Sequence, residues 1–278
     1  MPQLDANGLS EQQFLEQYEP GKYPRPSVTV DIVIFTVADA QGDNYRKLPE
    51  KELRVLLIRR GGHPFIGQWA LPGGFVQPDE TVGEAASREL AEETGMPGGP
   101  LEQLYTFSKP GRDPRTWVIS CAHMALVDSG RVHLKAGSDA DDARWFTVKA
   151  EGTPERTRLV LSNEGTQLSA VIASRPGEAE PQVLENSGLA FDHAEIIMCA
   201  LERLRAKLEH TDLAFGLLPE KFTLTELQQV YEVILGRLLY KAAFRRKMGS
   251  HVAETGEFSQ SAGHRPSQMF THRKGQGQ

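Results

Sequence analysis

Between Gly74 and Met96 the chain reads GFVQPDETVGEAASRELAEETGM, and no other stretch constrains the fold as tightly. The pattern predicts a helix over about residues 81–94, stopped by Gly95 as a C-terminal cap. Each helical residue advances by about 100°, so with Glu89 at zero Glu92 falls near −60° and Glu93 near +40°. The same arc holds Val82, Ala85, Ala86 and, at its edge, Leu90, whereas Glu84 and Ser87 point away. Three carboxylates therefore share the side that the apolar residues mark as inward. There they repel one another and lose hydration unless something cationic neutralises them. Arg88 brings one positive charge and can reach Glu80, Glu84 or Glu92. The charge still missing, sought by oxygen ligands alone, suits Mg²⁺ or Mn²⁺. A surface helix stitched by Glu–Arg pairs four residues apart would account for any two of these residues, but not for the whole constellation.

Around this helix the chain alternates between strands and loops. Residues 27–37 and 53–59 are β-branched and apolar and read as buried strands. Strand-like runs follow at 101–107, 116–127 and 143–148. WALPGGF at 69–75 reads as a tight turn leading into the helix. Strands around one central helix indicate a mixed α/β domain. Residues 151–185 are rich in Gly, Pro, Glu and Ser, with two strand-like islands at 158–162 and 167–174. A helix is expected to open at Asp192 on an Asp-x-x-Glu195 capping box and run to Leu208, and a second on Thr223-x-x-Glu226, ending at Gly236. A third, about 240–248, carries Lys241, Arg245, Arg246 and Lys247. Two β-type segments close the chain at 251–258 and 266–272. Helix, turn, basic helix and hairpin in that order spell a winged helix-turn-helix, whose four cations could meet DNA phosphates, the other reading being a module that serves only packing or dimerisation. Gln228 and Gln229 lie on the helix before them. The expected organisation is a lead-in helix at 1–22, an α/β domain at 23–185, a winged-helix domain with its linker helix at 186–272 and a tail at 273–278.

The carboxylate segment resembles the Nudix box: Gly, five residues, Glu, seven residues, then Arg-Glu-aliphatic-x-Glu-Glu-x-Gly-aliphatic. Gly74, Glu80, Arg88, Glu89, Leu90, Glu92, Glu93, Gly95 and Met96 meet every defined position. The resemblance implies an α/β/α sandwich in which Glu89, Glu92 and Glu93 hold divalent metal on a diphosphate, with the Gly73 carbonyl as a further ligand. It also implies that Glu80 and Arg88 form a supporting ion pair, and that the intact box is hydrolytically competent. Catalysis is accordingly expected of Glu92, Glu93, Arg88 and Glu80. The general base stays open, an acid of Asp139, Asp141 and Asp142 being one candidate and a solvated turn the other reading of that loop. Phe65 and Trp69 could offer an aromatic shelf for a base or simply fill the core. The run Gly111-Arg112-Asp113-Pro114-Arg115 is similar to a segment of ADP-ribose pyrophosphatases, in which two arginines on a stiff turn could clamp a diphosphate. The C-terminal half resembles that of Nudix-related transcriptional regulators.

The family resemblance thus implies Mg²⁺- or Mn²⁺-dependent cleavage of ADP-ribose to AMP and ribose 5-phosphate. The alternative is an ADP-ribose-sensing regulator that binds DNA through its winged helix. Charge bears on that choice. The 278 residues carry 31 Lys and Arg against 37 Asp and Glu, but residues 241–278 hold seven Lys or Arg against two acids, leaving the first 240 residues at net −11. An acidic body with a basic end can serve a polyanion only at that end. No run of eighteen apolar residues exists, so no membrane span is expected. The N-terminus lacks the basic start and apolar stretch of a secretory signal. Cys121 and Cys199 lie far apart in apolar patterns, which argues for a reducing, cytoplasmic compartment. A homodimer is expected.

Overall fold

The computed structural model describes residues 3–40, 49–95, 101–127, 140–175, 180–259 and 266–273. A short exposed helix, α1 (Glu11–Gln17), precedes the sheet that organises the molecule. Among the described residues that sheet has ten strands. They are β1 (Ser27–Asp39), β2 (Lys51–Arg60), β3 (Trp69–Ala70), β4 (Gly73–Phe75), β5 (Leu101–Phe107), β6 (Val118–Leu126), β7 (Ala140–Thr153), β8 (Arg156–Asn163), β9 (Thr166–Ala173) and β10 (Gln182–Ser187). The path runs β10-β9-β8-β7-β2-β1-β6-β5, with β3 beside β2 and β4 beside β1. β1 pairs parallel with β6 and antiparallel with β2 and β4.

β1 is buried on both faces, which explains its continuous apolar run. Val30, Ile32 and Ile34 join Ala85, Ala86 and Leu90 of helix α2 (Val82–Thr94) in one core. Val33 and Phe35, of opposite parity, join a larger core on the other face with Ile196, Leu201 and Leu204 of helix α3 (His193–Leu208). Helix, sheet and helix make the α/β/α sandwich. α2 begins on a capping box between Thr81 and Glu84 and ends at Gly95 with φ of 69°. The winged-helix portion adds a 3₁₀ turn (Leu213–Leu217), β11 (Phe222–Thr223), α4 (Leu224–Leu235), α5 (Lys241–Met248), β12 (Val252–Phe258) and β13 (Gln268–His272). Its sheet order is β11-β13-β12. α4 has the expected Thr223–Glu226 capping box and the Gly236 cap.

Several expectations are corrected. The stretch 151–185 carries β10 besides its two islands, and extends the large sheet. β10 has no apolar alternation because it is an edge strand with most residues exposed. β7 outruns its apolar centre because it forms a long hairpin with β8, paired out to Thr153 and Arg156. The 69–75 turn contains β3 and β4. α3, expected as a linker helix, lies on β1, β5, β9 and β10 as well as on α4. Its predicted capping box does not form: Asp192 makes no cap hydrogen bond, and Glu195 accepts from the Val183 N–H instead.

Candidate functional site

β4 and α2 build the carboxylate site. A Cβ on Gly73 would lie 2.1 Å from the Val30 carbonyl oxygen, and one on Gly74 would lie 2.2 Å from Oε1 of Glu89. Glycine at 73 is thus a steric requirement, because it lets β4 close on the backbone of β1, whereas glycine at 74 leaves the Glu89 carboxylate the place it occupies. Glu89 and Glu93 are 9% and 7% exposed, while Glu92 sits on the rim, half exposed.

Arg88 is the hub. Its Nη2 donates to Glu80 Oε1 at 2.8 Å, its Nη1 to Glu89 Oε1 at 2.7 Å, and Glu92 lies 3.5 Å away. Glu84, a partner considered from the sequence, is engaged in capping Thr81. Arg88 holds the Glu80 carboxyl below its usual range. Burial raises that of Glu89 despite Arg88. Burial, reinforced by Glu89 and Glu92, pushes Glu93 up to about 7. Glu93 Oε2 is buried with no hydrogen-bond partner among the described residues. One guanidinium does not neutralise this cluster. Its oxygen-only donors and the orphaned Glu93 oxygen fit a hard divalent cation. Among the described residues no three acidic, His or Cys side chains already converge on one point, so the rim Glu92 would have to swing in.

The predicted diphosphate clamp divides in two. Arg115 faces outward, paired with Asp113 at 2.7 Å. Its guanidinium lies 5.4 Å from the Phe75 ring and 5.8 Å from that of Phe191. Arg112 turns inward, its side chain 4% exposed. It forks onto Asp192 with Nε–Oδ2 at 2.8 Å and Nη2–Oδ1 at 2.7 Å, and reaches Asp31 at 3.2 Å. Its Nε and Nη2 are thus engaged by buried acids, so the two arginines do not stand side by side as the expected clamp would have them. Trp69 is likewise core: it is 7% exposed and edge-on to Phe146 at 4.7 Å. Phe65 instead packs nearer the surface, partly buried. Phe65 meets Phe191 edge-on at 4.7 Å, and Arg60 lies 5.0 Å from the Phe191 ring. Sequence reasoning does not find Phe75, Phe191 and Arg60, because they come from three separated segments whose local patterns carry no sign of a common site. Asp142 pairs with Arg144, while Asp139 and the side chain of Asp141 lie outside the described residues, as does Met96.

In the winged helix, Phe244 and Met248 recur at four-residue spacing and turn α5 into the core, with Phe244 edge-on to Tyr231 at 5.2 Å. Lys241, Arg245, Arg246 and Lys247 are thereby left exposed. Gln228 donates to Glu232 and to the Leu239 carbonyl, bracing the turn between α4 and α5. Leu238 and Tyr240 stand exposed in that turn. Among the described residues no helix is long and apolar enough to cross a membrane.

An α/β/α domain with a glycine-cradled carboxylate helix, continued by a winged helix that displays four cations, defines a Nudix domain joined to a DNA-binding type of module. The NUDIX domain family model matches residues 46–163, and that of the NrtR DNA-binding winged helix domain matches 214–271. An ADPR responsive transcriptional repressor of Acinetobacter baylyi is 35% identical over 96% of this chain and 90% of its own. The chain belongs to this family of Nudix-related, NrtR-type regulators. A MutT/nudix family protein from Enterococcus faecalis has a similar structure, with TM-score 0.71 and 33% identity over 95% of this chain and 94% of its own. NrtR of Shewanella oneidensis, crystallised with a 27mer DNA, superposes with TM-score 0.60 and 29% identity over 88% and 93%. An ADP-ribose pyrophosphatase of Methanocaldococcus jannaschii is 43% identical over 45% of this chain and 64% of its own.

Proposed function

We propose that this chain is a DNA-binding repressor whose Nudix domain takes ADP-ribose as its effector. What carries the reading is the likeness, nearly end to end, to an ADPR responsive repressor. The geometry agrees: none of the four cations of α5 pairs with a carboxylate among the described residues, so they stand ready for phosphates. The effector would lay its adenine on the Phe75, Phe191 and Phe65 shelf and its diphosphate between Arg115 and the carboxylate site. Two copies acting as a homodimer would meet two half-sites of an operator. α3, packed on the large sheet and on α4 alike, would link the effector domain to the DNA-binding one. Titration of a duplex from the chain's own upstream region, with and without ADP-ribose, tests the reading. Binding that steepens as salt falls and weakens with ADP-ribose is expected; absence of binding at low salt overturns it.

A second reading, Mg²⁺- or Mn²⁺-dependent hydrolysis of ADP-ribose to AMP and ribose 5-phosphate, is favoured by the complete set of box residues. Glu89, Glu92, Glu93 and the Gly73 carbonyl would hold the cation, which when bound polarises phosphoryl oxygens and lowers the pKa of water. Arg88, anchored by Glu80, fixes the Glu89 carboxylate. Arg115 would orient the diphosphate. A panel of nucleoside diphosphate derivatives, assayed with and without metal, decides between a turning-over enzyme and a sensor that only binds.

A further inference from the structure

The loop that carries Arg115 grips the effector shelf at one end and the start of α3 at the other. Three residues before Arg115, Arg112 is buried on Asp192, and the residue before Asp192 is Phe191, the shelf aromatic itself. Phe191 holds φ of 51°, a left-handed conformation unusual for so bulky a side chain. The ion pair is further enclosed. Ser120 donates to Asp31 at 2.6 Å, His193 Nε2 lies 3.4 Å from Asp31, and His193 Nδ1 accepts the Leu71 N–H at 2.8 Å. The segment before it is laced to β3 through Trp69 N–H to Gly188 and Ala190 N–H to Trp69.

We infer that Arg112, Asp31, Asp192 and His193 form a buried latch that carries the state of the effector site into α3, and through α3 into the winged helix. The inference rests on the effector reading given above. A ligand that draws Arg115 from Asp113, or presses on Phe191, pulls on one of the two segments joined by the Arg112–Asp192 fork. Buried opposite charges part only at high cost, so the fork moves as a unit and takes the first turn of α3 with it. α3 is 16 residues long, about 24 Å, and stiff. At its far end Arg205 donates to the Ile234 carbonyl at 2.9 Å, in the last turn of α4. Leu201, Leu204 and Leu208 share one core with Leu227, Val230 and Ile234. Displacement of α3 therefore reaches the helix on which α5 is seated. The latch residues act as positioning residues, their side chains being 4–12% exposed.

Asp192→Asn in the full chain removes the charge of the fork at constant shape. DNA binding, ADP-ribose binding and their mutual effect are measured by fluorescence anisotropy and calorimetry. In the wild type, ADP-ribose should weaken DNA binding by about tenfold or more, within the usual range of coupling. In the variant each ligand alone should bind within about threefold of wild type, while the effect of one on the other shrinks below about threefold. A merely structural role would lower both affinities or neither and leave the coupling factor as it was; a variant with wild-type coupling overturns the latch. A wild type whose DNA binding ignores ADP-ribose overturns the effector reading, and the latch falls with it. Should the variant fail to fold, hydrogen exchange of the wild type decides. ADP-ribose should alter exchange at Leu71, along residues 193–208 and at 234–236, whereas changes confined to the loops around the carboxylates and the shelf overturn the latch.

Discussion

Glu93 is the residue at which burial and charge compete most openly. Its carboxyl is pushed from an ordinary 4.5 up to about 7, so between those pH values the native chain holds a proton that the unfolded chain has released. Stability of the metal-free protein must therefore fall as pH rises through that window, by up to about 3 kcal/mol if the full shift is expressed. Thermal unfolding in a chelator should show a Tm that drops from pH 5 to pH 8, and Glu93→Gln should flatten that slope. Mg²⁺ or Mn²⁺ should raise the wild-type Tm more at pH 8 than at pH 5. If hydrolysis occurs, Glu92→Gln and Glu93→Gln should each reduce it by about a hundredfold or more, the scale expected when electrostatic stabilisation of a transition state is removed. Gly74→Ala tests the cradle directly. Its added methyl would fall 2.2 Å from Glu89 Oε1, so the divalent-ion increment in Tm should vanish while the fold persists.

Among the elements, α5 shows how a short helix divides its labour. Phe244 and Met248 seat it, and the cations between them face out. Replacing Arg245, Arg246 and Lys247 together by Ala should weaken DNA binding across sequences and lower the slope of log affinity against log salt by about three, one for each phosphate no longer neutralised. ADP-ribose binding should be unchanged, since none of these residues belongs to the Nudix site. α4 depends on its N-terminal cap. Thr223→Ala removes the acceptor for the Glu226 N–H, and should cost about 1 kcal/mol by chemical denaturation.

For the whole molecule the decisive feature is a core that does not stop at the domain boundary. Phe35, Leu57 and Phe146 of the large sheet and Val230, Ile234 and Met248 of the winged helix belong to one cluster, with α3 between them. The two domains should accordingly unfold in one cooperative transition, with circular dichroism and calorimetry agreeing on its midpoint. Leu204→Ala, on α3 within that cluster, should cost about 2–5 kcal/mol and lower the stability of both domains together. The acidic body complements this arrangement. With net −11 on the first 240 residues, a DNA duplex approaching the proposed repressor should be steered toward the basic end.

The sequence by itself determined what depends on neighbours along the chain. Helix pitch alone places Glu89 and Glu93 on the side of Ala85, Ala86 and Leu90. Caps such as Gly95, Gly236 and Thr223 act within one turn, and the β-branched run of β1 reads as a buried strand. Legible in the same way were the cationic face of α5 and the hairpin after it. What only the tertiary structure decided are relations between residues far apart in the chain. Asp192 looked like a helix cap and is instead the partner of Arg112, eighty positions away. Arg112 and Arg115 are alike in local pattern, yet one is buried on Asp192 and Asp31 while the other pairs with Asp113 beside the Phe75 and Phe191 rings, because the fold brings the distant acids to the first alone. Trp69 and Phe65 flank one turn and part company for the same kind of reason, one against Phe146 and the other against Phe191. A local pattern specifies backbone geometry through short-range sterics and hydrogen bonds; which charge meets which, and which ring meets water, is settled only when the sheet brings distant segments side by side.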